Sequence, residues 1–240
     1  DLFGLSDDHF SGTALELHGG ASFLKGGLLY SDRLTTVSQT YAEEIQTPYY
    51  GEFLDGLLRH RKDQLTGIVN GIDYEVFDPM SDPHLVVNYR DSLPKKTQNK
   101  LALQERLGLP VNGDVPMIVL VTRLVQQKGL DLIQHVLREI LTLDIQLVVL
   151  GTGEPVYEQM FRNAAATHPT KVSAQIYFDE ALAHQFYAAS DLFLMPSQFE
   201  PCGIGQLIAL RYRSVPIVRE TGGLKDTVQP YNEFTGEGTG

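Results

Sequence analysis

The chain has a single cysteine, Cys202, among its 240 residues, which excludes an internal disulfide and a four-cysteine zinc site and suits a reducing compartment. No apolar run reaches the roughly 18 residues that a membrane-spanning helix needs, so no membrane segment is expected. Basic side chains are scarce: 19 Lys and Arg stand against 30 Asp and Glu, a net charge of -11. That balance argues against general affinity for nucleic acid or an anionic membrane, so any anionic ligand must be held by local groups. The seven histidines show neither HxxxH nor HExxH spacing, and no metal centre is expected. Short repeats and low-complexity tracts are missing as well. No signal-like segment opens the chain, Asp1 is not a natural start, and Gly236 to Gly240 reads as a loop cut mid-course. Both ends are therefore expected to be truncated, and targeting is not legible.

What is present is a core. Hydrophobic residues make up 42% and charged residues 20%, and a chain of this size can bury about 70–75% of its unfolded surface. From Met117 onward one pattern repeats: a short apolar run, a turn rich in Gly or polar residues, then helical spacing. Met117 to Thr122, Gln146 to Leu150, Leu192 to Met195 and Pro216 to Val218 read as strands. Helices are expected from about Leu130 to Leu143, with Leu132, Ile133, Val136 and Ile140 on one face, after Pro155, and from about Ile204. Continuous apolar strands separated by helices predict an α/β fold with a parallel sheet covered on both faces.

The first seventy residues carry a similar rhythm: helical at Ser22 to Tyr30, Thr40 to Ile45 and Glu52 to His60, extended at Arg33 to Val37 and Leu65 to Val69. They read as the tail of another α/β domain. The expected boundary lies near Asp73 to Pro79, giving domains 1–74 and 75–240, and Lys95 to Leu107 reads as a polar-faced helix.

In an open parallel sheet, ligands bind beyond the carboxyl ends of the strands, where the loops and helix N-termini converge. That edge nominates Arg123 and Lys128, Gly151 and Gly153, the Ser197 to Gly205 loop with Glu200 and Cys202, and Arg219 to Gly223. Arg123 as a planar fork and Lys128 as a point charge can approach one diphosphate from two directions; a solvated loop pair is the alternative. Glu200 at a strand-to-helix turn can read sugar hydroxyls, or simply face a helix dipole. Gly151-Thr152-Gly153 after a strand suggests a dinucleotide site, yet the third glycine of GxGxxG would fall at Val156, so a tight turn with some ligand contact fits better. Cys202 has no identifiable base partner and reads as a small packing residue. His135 and His184 read as helix-face residues.

Four stretches in order, VTRLVQQKGLDL at Val121 to Leu132, LGTGEP at Leu150 to Pro155, FEPCGIGQL at Phe199 to Leu207 and PIVRETGGLKDTV at Pro216 to Val228, resemble the bacterial glycogen synthases and plant starch synthases that use ADP-glucose. FLKGGLLYSDRLTTVSQTYAEEI at Phe23 to Ile45 and NGIDYEVFDP at Asn70 to Pro79 match too, so the resemblance covers nearly the whole chain. EPCG followed by the arginine-TGGL block is specific jointly rather than singly.

The resemblance implies a GT-B architecture of two Rossmann-like domains. The chain would hold the C-terminal part of an acceptor-side domain (1–74) and most of a nucleotide-sugar domain (75–240), lacking the early KxGG loop, the acceptor-side histidine segment and the final helix. It implies a retaining glucosyltransferase acting from ADP-glucose onto the non-reducing end of an α-1,4-glucan. Partners would be ADP-glucose or ADP and the glucan, with no cofactor, and the oligomeric state stays open. The compartment would be the cytoplasm, or a plastid in a plant. Arg123 and Lys128 resemble the pair that neutralises the leaving diphosphate, and Glu200 the carboxylate that contacts the glucose. Cys202, Gly203, Ile204 and Gly205, with Thr221 and Gly222, resemble the loops that approach sugar and phosphate, alongside Gly151 and Gly153. Phe178 stands where relatives often carry Tyr near the adenine, which keeps stacking and loses the phenol. Asn70 resembles a hinge-side asparagine at the cleft.

Three positions depart from the pattern. Gly205 replaces a residue that usually bears a side chain, Arg213 replaces the glycine of RYG just past a helix end, and Ile208 stands where the broader EX7E pattern has a second glutamate. Two other readings remain open: a nucleotide-binding module without catalysis, and a GT-B transferase using another sugar nucleotide.

Overall fold

The computed structural model describes Gly4, Ser6 and residues 7–240, apart from the Asp7 side chain. Residues 1–3 and 5 of the expected first domain lie outside this description. Two compact units result, one up to Val69 and one from Asn70 to Gly240. The division precedes the expected boundary because Ile72 and Phe77 already pack against the second unit's core.

In the first unit, the antiparallel pair β1 (Glu16–Leu17) and β2 (Gly20–Ala21) precedes α1 (Phe23–Tyr30). Then come β3 (Leu34–Thr36), α2 (Gln39–Glu44), α3 (Asp55–His60) and β4 (Leu65–Gly67). The Ser22 hydroxyl accepts from the Lys25 N–H at 3.1 Å and caps α1 at its start. Arg61 closes its other end, donating to the Leu28 and Leu29 carbonyls at 2.6 and 2.7 Å. β3 and β4 run parallel, with Leu34 opposite Leu65, over a small core of Leu34, Leu54 and Leu58.

The second unit opens with an irregular segment to Asp91 and α4 (Leu93–Arg106). Strand and helix then alternate: β5 (Met117–Val121), α5 (Leu130–Ile140), β6 (Gln146–Leu150), α6 (Pro155–Thr167), β7 (Val172–Gln175) and α7 (Glu180–Ala189). β8 (Leu192–Met195), α8 (Gly205–Arg211), β9 (Val215–Val218) and α9 (Gly222–Thr227) follow. All five strands are parallel in the order β7-β6-β5-β8-β9. Alternate residues face opposite layers. Met117, Val119, Val148 and Leu150 join one core with Leu103 of α4, Phe186 of α7 and Ile208 of α8. Leu120, Leu147 and Val149 join the other with Ile133 of α5 and Phe161 of α6. Strand order reverses between β5 and β8, so the connections leaving these neighbours go to opposite faces and open a crevice at their carboxyl ends.

Four expectations change. Leu132 is not on the inward face of α5; it is 47% exposed, and Leu130, Ile133 and Leu137 are the buried residues at helical spacing. The strand β7 is additional, and α7 extends around His184, the one residue there read as helical. Thr221 and Gly222, which the resemblance puts in a loop, form the start of α9. The polar face of α4 points inward: Lys96, Asn99, Lys100 and Gln104 are all buried. Lys96 donates to the carbonyls of Ala188 and Tyr212 at 3.0 and 2.9 Å, and Asn99 accepts from the N–H groups of Val86 and Val87. Buried polar groups are tolerated because each is hydrogen-bonded.

Candidate active site

Four loops at the carboxyl edge of the sheet are fastened to one another by main-chain hydrogen bonds. Leu124, in the loop after β5, donates its N–H to the Thr152 carbonyl at 2.8 Å and accepts from the Glu154 N–H at 2.7 Å. This joins the Arg123 loop to the Gly151–Glu154 turn. Side chains at Gly151 or Gly153 would strike the carbonyls of Thr122 and Leu124, which is why the GTG turn is built from glycine.

The same loop also joins the turn after β8. Gln198 N–H donates to the Gln127 carbonyl at 2.9 Å, and Gln127 Nε2 donates to the Phe199 carbonyl at 2.5 Å. Gly129, at φ 74°, packs so closely on the Pro196 carbonyl that a Cβ would collide with it. The fourth loop closes on the third: Gly223 N–H donates to the Glu200 carbonyl at 3.0 Å, with no room for a Cβ between Gly223 and Cys202.

At the reversal of strand order, Lys128 Nζ meets Glu200 Oε2 at 2.6 Å. The Ser197 hydroxyl donates to the same carboxylate oxygen at 2.9 Å. Both charged side chains are largely buried, 15% and 9% exposed, so their interaction is less screened by solvent than a surface pair. Arg123 shares the loop with Lys128, but its side chain is exposed and forms no ion pair among the described residues. A planar cation is thus presented to solvent from the loop that also carries the buried Lys128.

Cys202 is 3% exposed. Burial pushes its thiol above the usual range, the Asn70 N–H at the sulfur pulls it back, and the charges of Glu200 and Asp226 raise it further. The thiol is therefore a packing group that ties Asn70 to the EPCG turn, and not a thiolate nucleophile. Thr221 is buried at the start of α9, and Gly222 adopts φ 46°. Ile204 is 47% exposed ahead of α8, and Gly205 faces the Phe193 ring, where a Cβ would sit 3.1 Å from the ring edge. Phe178 stands apart on the loop after the edge strand β7, 85% exposed. Ser197 and Gln127, which orient Glu200 and join the loops, have no spacing that marks them in the sequence. No group of three or more His, Cys, Asp or Glu suited to a metal ion occurs among the described residues.

The family model for glycosyl transferases group 1 matches residues 104–238, the part that carries all four loops. The chain belongs to this family. A second family model, the starch synthase catalytic domain, matches residues 1–60. Over its full length the chain is 60% identical to a glycogen synthase of Desulforamulus reducens and 59% identical to one of Clostridium acetobutylicum, covering 50% of each. The chain thus spans about half the length of these curated relatives. The catalytic domain of starch synthase IV from Arabidopsis thaliana, solved bound to ADP and acarbose, matches 97% of this chain with a TM-score of 0.89 and 38% identity, and the chain covers 49% of it. Anabaena HepE, solved with UDP and glucose, matches at a TM-score of 0.59 and 18% identity, a likeness of fold. These neighbours make the architecture α/β of the GT-B type, with its Rossmann-like parallel sheet in the second unit.

Proposed function

We propose that the enzyme containing this chain transfers glucose from ADP-glucose to the 4-hydroxyl at the non-reducing end of an α-1,4-glucan, with retention of configuration. The observation that carries the reading is the Lys128–Glu200 contact across the switch point, with Arg123 exposed on the same loop. The ADP and acarbose bound by Arabidopsis starch synthase IV support a nucleotide donor and a glucan-like acceptor here.

The chemical difficulty is a departing diphosphate. As the bond between glucose C1 and the phosphate oxygen breaks, the electron pair goes to that oxygen while the ring becomes oxocarbenium-like. Arg123 and Lys128 stabilise the growing negative charge, which is the largest contribution preorganised groups can make. The acceptor O4 bonds C1 on the face the phosphate leaves, and its proton passes to the departing phosphate oxygen. No second carboxylate of the hydrolase kind is needed. Glu200, held by Ser197, accepts from hydroxyls of the transferred glucose and orients it. Excluding water keeps the step a transfer rather than a hydrolysis.

Residues 1–240 alone bind ADP without elongating glucan in this reading, because they span half of the related enzymes. The cytoplasm is the compartment it favours, supported by the single buried thiol. The test is turnover of the whole enzyme carrying both Arg123→Ala and Lys128→Ala. A loss of at least about a hundredfold is expected, and near-normal turnover overturns the reading. Competition among ADP-glucose, UDP-glucose and GDP-mannose identifies the donor.

A further inference from the structure

Gln206 lies at the second position of α8, one turn beyond the EPCG motif, and is fully buried at 0% exposure. Its side-chain amide does not serve the helix. The two N–H groups of Nε2 are shared among three acceptors, the Cys202 carbonyl at 2.9 Å, the Gly203 carbonyl at 3.1 Å and Thr227 Oγ1 at 3.1 Å. Thr227, the last residue of α9, in turn donates its hydroxyl to the Gly223 carbonyl at 2.6 Å, and the Gly223 N–H reaches back to the Glu200 carbonyl.

These bonds form a closed circuit, from the main chain of the EPCG turn through Gln206 and Thr227 to α9 and back to Glu200. Gly203 adds no restraint of its own: it sits at φ 75°, a conformation glycine adopts freely, and a Cβ there would run into the Gln206 amide. Only the donor end of the amide can face two carbonyls. That leaves Oε1 buried without a hydrogen-bond partner, a cost the local geometry sustains.

We infer that Gln206 is a positioning residue for sugar transfer: its amide, with Thr227, fixes the Glu200–Gly203 turn so that the Glu200 carboxylate keeps its orientation toward the transferred sugar. The inference rests on the sugar-contacting role proposed for Glu200. Gln206 hydrogen-bonds neither Arg123 nor Lys128 and reaches Lys128 only through Glu200, so its loss should not weaken diphosphate binding.

The test uses the whole enzyme with Gln206→Met and Gln206→Glu. Both abolish the paired donor at neutral pH, and both should lower kcat by about tenfold or more while the Kd for ADP changes less than about threefold. A buried glutamate regains one O–H donor when protonated, so the activity of Gln206→Glu relative to the parent enzyme should climb as pH falls, whereas the Gln206→Met ratio stays flat. Should these variants fail to fold, Thr227→Val opens the same circuit at a half-buried position. It should cost several-fold in kcat, and Thr227→Ser should restore it. Unchanged kcat in a folded Gln206→Met or Thr227→Val overturns the inference, as does a parallel loss of ADP binding. Persistence of activity in the Arg123→Ala, Lys128→Ala double variant would instead strike the functional reading itself.

Discussion

Lys128 and Glu200 are 72 residues apart in sequence and meet at 2.6 Å where the sheet reverses its strand order. The pair sets the ligand-free electrostatics of the site: the carboxylate offsets an ammonium that a diphosphate would otherwise meet at full strength. In the proposed reading, donor binding redistributes this contact, freeing the ammonium for phosphate and the carboxylate for sugar hydroxyls.

Glu200→Gln separates those two roles. The amide keeps the size and the hydrogen bond to Ser197 while removing the charge. ADP should bind about three- to tenfold more tightly, because an opposite charge beside Lys128 has been removed from competition with the ligand. Transfer should fall by about a hundredfold, since the sugar loses its charged acceptor. Calorimetric titration with ADP and a glucan-elongation assay on the whole enzyme measure the two quantities. Weaker ADP binding would mean that Glu200 serves to hold Lys128 in place.

Gly129→Ala probes the contact between the loops that carry the pair. The substitution forces a side chain into a left-handed backbone at φ 74° and drives it into the Pro196 carbonyl. Strain and overpacking together should destabilise the second unit by about 2–4 kcal/mol. Urea unfolding reads the loss, and ADP affinity should fall with it as the loops after β5 and β8 move apart.

The strands buried on both faces were plain in the sequence, because MIVLV and the LVVL of β6 are continuous apolar runs of the kind a covered parallel sheet buries. VSAQ was not. β7 is an edge strand, and Ser173 and Gln175 interrupt its apolar character. The inward polar face of α4 escaped for a related reason: Lys96 and Gln104 are satisfied by carbonyls and side chains distant in sequence, and composition alone assigns such residues to solvent. At the site, the loop residues followed from βα alternation. Their main-chain fastening, and the partnership of Gln206 with Thr227, depend on contacts that no local spacing encodes.

Lys96 gives stability a pH signature. Burial lowers its pKa from 10.5 to about 7, with Asp191 opposing the shift and Lys100 and Arg213 adding to it. The unfolded chain holds this proton up to about 10, whereas the folded chain releases it near 7, so the unfolded state binds more protons in between. Stability owed to this residue should rise with pH across that window and level off below it, where both states are charged. Urea unfolding of the wild type and Lys96→Met from about pH 6 to about pH 10 isolates the effect, because every other group titrates in both. A flat difference would show that the three carbonyls around the ammonium keep it charged throughout.

Arg213 occupies the first position past the C-cap of α8 at φ 61°, where glycine is the favoured residue. The Ser214 N–H returns to the Ala209 carbonyl at 2.8 Å and the Arg213 N–H to Leu210 at 3.1 Å, so the left-handed turn is required by the helix ending itself. Against this strain stands an ion pair with Asp91 between half-exposed side chains, a kind of contact that contributes about 0–1 kcal/mol. Arg213→Gly should relieve the strain, which outweighs the ion pair it gives up, and raise Tm by about 1–4 °C. Arg213→Ala loses the ion pair and keeps the strain, so its Tm should fall at or below that of the wild type. Thermal unfolding of the three proteins gives the order glycine, arginine, alanine if backbone strain dominates. If instead glycine and alanine fall together below arginine, the guanidinium contact with Asp91 outweighs the strain.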